Sequence, residues 1–80
     1  MPKIFEWNGY RFHFFSNEGD PREPPHVHVT LGRDSAKFWL RPRVVVALNR
    51  GFSPRVLSEL IPVIVSHREQ IESAWHDHFA

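Results

Sequence analysis

Lys3-Ile4-Phe5-Glu6-Trp7-Asn8-Gly9-Tyr10-Arg11-Phe12-His13-Phe14-Phe15 reads as a β-hairpin from end to end. Asn-Gly readily takes the two positive φ angles of a type I′ turn, the two-residue connection that suits twisted strands. Both flanks are rich in aromatic and branched residues that fit a pleated surface. A two-residue loop sets Trp7 opposite Tyr10, Glu6 opposite Arg11 and Phe5 opposite Phe12. Aromatic then meets aromatic and acid meets base.

A second hairpin is expected downstream. His26-Val27-His28-Val29-Thr30-Leu31 alternates, with Val27, Val29 and Leu31 on one face. Gly32-Arg33-Asp34-Ser35 is turn chemistry, and Ala36-Lys37-Phe38-Trp39-Leu40 alternates again. A four-residue turn places Val29 beside Phe38, Val27 beside Leu40, His28 beside Trp39, Thr30 beside Lys37 and His26 beside Arg41. One face is then apolar and the other polar and basic. Arg43 to Leu48 suits either a strand or a short helical turn. Between the hairpins, Ser16 to Pro25 holds three prolines and reads as a loop of a length often tied to function.

Ser53-Pro54 starts a helix, with serine as cap and proline at the first helical position. Leu57, Leu60, Ile61, Ile64, Ile71, Trp75 and Phe79 draw one apolar stripe along it. Pro62 removes one internal hydrogen bond, so a kink or a split is expected there. The fold expected is therefore α+β: an antiparallel four-stranded sheet of two hairpins, packed against a C-terminal helix kinked or split near Pro62.

Eighty residues give room for one domain with a small core. Seven Phe, three Trp and one Tyr compensate, because large rings supply much apolar area per residue. Cysteine is absent, which excludes disulfides and thiolate metal sites and fits a reducing compartment. No apolar run approaches the roughly 20 residues of a membrane helix, and Met1 to Phe5 lacks the apolar core of a signal peptide. A cytoplasmic protein with no membrane partner is expected. Net charge is +1, but residues 1–55 carry nine basic against five acidic residues, and residues 56–80 one against four. Arg41, Arg43, Arg50 and Arg55 stand in a stretch without a carboxylate, a field that favours phosphate or an acidic partner unless it is merely solvated.

His26 and His28 are the main candidates for chemistry. Alternate residues of a strand point the same way, so two imidazoles can act as acid and base on one substrate. They can also grip one divalent metal, which needs at least one more ligand, such as Glu18, Asp20, Glu23 or His13. Exposed strand histidines are also common without either role. Arg11, Lys37, Trp39 and Arg41 share the polar face. Cations beside an exposed ring form a platform on which single-stranded RNA can stack and be held by phosphate. His67 falls in mid-helix, while His76 and His78 suit the helix C-terminus. Glu69, Glu72 and Asp77 read as a solvated helix face.

Gly9-Tyr10-Arg11-Phe12, Phe15-Ser16-Asn17-Glu18-Gly19, Glu23-Pro24-Pro25-His26-Val27-His28-Val29, Ala36-Lys37-Phe38-Trp39-Leu40, Asn49-Arg50-Gly51-Phe52 and Trp75-His76-Asp77-His78-Phe79 follow in this order. Together they closely resemble the bacterial family known as domain of unknown function 4160. The resemblance covers nearly the whole chain, and Pro-Pro-His-x-His is its most specific part. It implies a component of a toxin–antitoxin-like pair, with a small protein encoded nearby as partner and RNA as a target. On that footing His28 is the leading acid or base, His26 assists, and Arg11, Lys37 and Arg41 hold phosphate. A metal-binding module using His26, His28 and Glu18 is one alternative. A non-catalytic interaction module, contacting its partner through the Pro-rich loop and residues 41–55, is the other. The sequence leaves homo-oligomer formation open.

Overall fold

A computed structural model describes residues 3–15 and 23–79. Its sheet has five antiparallel strands in the order of the chain: β1 (Lys3–Trp7), β2 (Tyr10–His13), β3 (His26–Leu31), β4 (Asp34–Trp39) and β5 (Val45–Arg50). Two helices follow, α1 (Pro54–Ser66) and α2 (Arg68–Phe79). The class is α+β as expected, but with five strands rather than four. The fifth lies in the stretch where strand and helical turn were equally open.

The first hairpin has the expected register, with Trp7, Glu6 and Phe5 opposite Tyr10, Arg11 and Phe12. Asn8 (φ 50°) and Gly9 (φ 83°) supply the two positive angles of the turn. The second hairpin is tighter than expected. Leu31 opposes Asp34, so only Gly32 and Arg33 lie in the turn, and Gly32 takes φ 59°. Glycine at the first turn position is what a type II′ connection requires. Each pairing therefore shifts by two residues: His26 meets Trp39, Val27 meets Phe38, His28 meets Lys37 and Val29 meets Ala36. A shift of two preserves which face each side chain occupies, because the strand period is two.

One face of the sheet makes the core. Phe12, Val27, Val29, Ala36, Phe38 and Leu40 are buried with Leu60, Ile64, Ile71 and Trp75 of the helices. Helix α1 starts as expected, with the Val56 N–H donating to Ser53 Oγ at 3.2 Å and Pro54 next to the cap. Asn49 holds the turn before it, accepting from the Phe52 N–H at 3.1 Å and donating to the Phe52 carbonyl at 2.9 Å.

The helix does not end at Pro62. It runs through that residue, whose ring is exposed, and stops at His67. A proline on the solvent side leaves its unmatched carbonyl within reach of water. His67 caps α1, and its backbone N–H still donates to the Val63 carbonyl at 3.1 Å. Its Nδ1 lies 2.8 Å from the Val63 carbonyl, and its ring stacks on Phe5 at 4.3 Å. The residue expected in mid-helix is thus the joint between two helices.

Candidate functional site on the open sheet face

The strand registers assemble the second face row by row. Glu6, Arg11, Thr30, Ser35 and Arg50 form one row across all five strands. His13, His28, Lys37 and Leu48 form the next, and His26, Trp39 and Val45 the third. The sheet thus brings the candidate residues Arg11, His26, His28, Lys37 and Trp39 to one face, as alternation requires.

The histidines are less open than expected. His26 is fully buried, although the alternating pattern placed it on the polar face. It opens β3 at the sheet margin, where Trp75 of α2 lies 4.7 Å from its ring and Trp39 lies 5.5 Å away. Its Nδ1 is 3.0 Å from the Pro24 carbonyl oxygen. A carbonyl only accepts, so Nδ1 carries a proton there. His13 is also buried, 3% exposed, and its ring lies 5.8 Å from that of His28. His28 is half-buried. The His26 ring meets it edge-on at 5.2 Å, and the exposed Phe15 lies 4.3 Å away.

Two of the cations expected to hold phosphate are bound within the fold. Lys37 Nζ donates to Glu23 Oε1 at 2.9 Å and sits 4.4 Å above the Trp39 ring. Arg41 forms a two-pronged bridge to Glu72, Nε to Oε2 at 2.6 Å and Nη2 to Oε1 at 2.8 Å. Glu72 was expected on a solvated face, yet its side chain is only 14% exposed. The hydrogen bond from Arg41 and the guanidinium charge hold its carboxyl below the ordinary value of 4.5, against the opposing effect of burial. Glu72 follows the buried Ile71 and precedes Trp75 by three positions, so it borders the apolar stripe. That position was the available signal that it faces the sheet.

Arg11 and Arg50 remain exposed, and neither has an ion-pair partner among the described residues. Arg11 borders a depression of about 60 Å³ that is also lined by Lys3, His13 and Thr30. Lys3 is partly offset by Glu6 at 3.4 Å. Phe15 and Thr30 were not singled out from sequence. Phe15 stands two residues after His13, the spacing that puts neighbours on one strand face, and this would have found it.

Among the described residues, no group of three His, Asp or Glu side chains is placed to hold a metal ion. Glu23 is taken by Lys37. Glu18 and Asp20 lie outside the described residues. Among the described residues, no helix is long and apolar enough to cross a membrane.

The fold and this face define a small α+β domain whose sheet presents a mixed aromatic and cationic surface opposite its helices. The chain belongs to the family described as domain of unknown function (DUF4160), whose model matches residues 9–76. Neither a curated protein nor a solved structure matches it.

Proposed function

We propose that the chain binds single-stranded RNA across the open sheet face, as one member of a toxin–antitoxin-like pair. The supporting observation is the row that joins exposed Arg11 to exposed Arg50 through the Thr30 and Ser35 side chains, beside exposed Phe15 on half-buried His28. Guanidinium groups contact phosphate, while exposed aromatic surface stacks on bases regardless of sequence. The depression beside Arg11 supplies a hydroxyl and two cations at the scale of one phosphate. If the face cleaves as well as binds, proton transfer falls to His28, because His26 is enclosed. Lys37 shapes this surface through Trp39 and Glu23 rather than waiting for a ligand.

The test is fluorescence anisotropy of a labelled oligouridine at low salt. The wild type binds, and Arg11→Ala and Phe15→Ala weaken binding with unchanged circular dichroism. Gel analysis of the same oligonucleotide with His28→Asn separates cleavage from binding. Absence of binding at low ionic strength would reject the reading.

A further inference from the structure

Strand β5 is an edge of the sheet, and all six of its residues are exposed. Val45 is 40% exposed, Val46 38% and Leu48 50%. They lie on both faces: Val45 and Leu48 beside Trp39 and Lys37, Val46 beside Phe38. In an antiparallel edge strand about half the N–H and C=O groups point outward, a ready template for one more strand. The opposite edge, β1, is guarded by Lys3 and Glu6, and its Phe5 is stacked under His67. Edge β5 carries no charge before Arg50.

We infer that β5 docks an extended segment of a partner protein, adding it as a sixth strand, and that this segment carries alternating apolar residues flanked by carboxylates. Charge selects that occupant. Residues 41–58 contain four arginines and no acid. Arg41 is bound by Glu72 and Arg55 approaches Glu59 at 3.7 Å, which leaves Arg43 and Arg50 at the two ends of the strand. A second copy of the chain fits worse. Antiparallel pairing of β5 with itself over its whole length would set Arg50 of each copy diagonal to Arg43 of the other, with no carboxylate to offset them. A bulge at Ala47, where the register skips between Leu48 and Val46, also breaks the edge into two short ladders. Such a bulge weakens pairing with any added strand, but a flexible segment can adapt to it where the rigid edge of a second sheet cannot.

The experiment uses the whole chain and two capped peptides. Each is a Val-Thr alternating strand, one flanked by glutamate pairs and the other by lysine pairs. Amide exchange and chemical-shift mapping by NMR are the readouts. The glutamate-flanked peptide is expected to shift and protect amides of residues 45–50, and the lysine-flanked one to bind about tenfold more weakly. Val46→Glu, at an exposed position on the face turned away from Arg11 and Arg50, should lose the peptide while keeping any affinity for oligouridine, so failure here and failure of RNA binding are read separately. Lack of protection in β5 by the glutamate-flanked peptide overturns the inference. So does equal binding of both peptides, or protection of β5 that grows with the concentration of the chain alone.

Discussion

Replacing His26 by alanine distinguishes a packing role from a role in chemistry. The ring is fully buried between Trp75 at 4.7 Å and Trp39 at 5.5 Å, and it bonds the Pro24 carbonyl at 3.0 Å. Truncating a buried side chain of this size costs about 2–5 kcal/mol through the packing it removes and the cavity left behind. The unmade hydrogen bond accounts for about 1 kcal/mol of that. A central value of about 3 kcal/mol is a large share of the roughly 4–12 kcal/mol that a chain of 80 residues ordinarily has. At about 4–8 °C per kcal/mol, the melting temperature should fall by roughly 12–24 °C.

The assay is thermal and urea unfolding followed by circular dichroism, with the urea slope checked for constancy. His26→Phe keeps an aromatic ring but a larger one and loses the donor, so it should recover part of the stability lost with alanine. His28→Ala, at a half-buried position, should stay within about 1 kcal/mol of wild type. A His26→Ala protein that melts within about 4 °C of wild type, yet loses RNA binding, would refute the packing argument and return His26 to the site.

Three further outcomes follow from the geometry. Glu72 titrates below its ordinary value because Arg41 bonds its charged form, so the stabilisation it gives is complete above that ordinary value and disappears as pH falls through the lowered one. Wild type should therefore exceed Glu72→Gln in melting temperature at neutral pH and converge with it in strong acid; a gap that persists in strong acid would contradict the sign. Gly51 takes φ 106°, and a Cβ there would run into the Asp34 carboxylate, so Gly51→Ala should cost about 1–3 kcal/mol by urea unfolding. Neutralising one phosphate of a single strand adds about 0.7 to the log–log salt slope of binding, so Arg11→Ala, which removes one such cation, should flatten that plot by this amount.

The sequence made some of this legible and hid the rest for physical reasons. Asn8-Gly9 announced its turn because few other pairs accept two positive φ angles. Gly32-Arg33-Asp34-Ser35 was read as a four-residue turn, whereas only Gly32 and Arg33 form it. The wrong length still gave the right faces, since an error of two residues leaves strand parity intact. Strand β5 could not be read because alternation marks a half-buried strand, and Val45, Val46 and Leu48 are exposed on both sides. Pro62 was visible as a helix breaker, but its position on the solvent side was not. The joint at His67 was not legible, because the contact that its ring makes is with Phe5 from the other end of the chain.

The same limit governs the candidate site. Alternation assigns a side chain to a face, but it does not say what later arrives to cover it. Trp75 and Glu72 come from α2 and reach His26 and Arg41, converting two residues expected to meet a ligand into contacts that fasten the last helix to the sheet. Glu23 does the same for Lys37. Among the described residues the row from Arg11 to Arg50 keeps its guanidinium groups unbridged, because Thr30 and Ser35 are short and neutral and the Glu6 carboxylate opposite Arg11 lies 3.4 Å from Lys3 instead. Substitutions at Arg41 and Lys37 therefore act first on stability, whereas those at Arg11 act first on binding. Separating the two effects requires unfolding and affinity to be measured on the same variant.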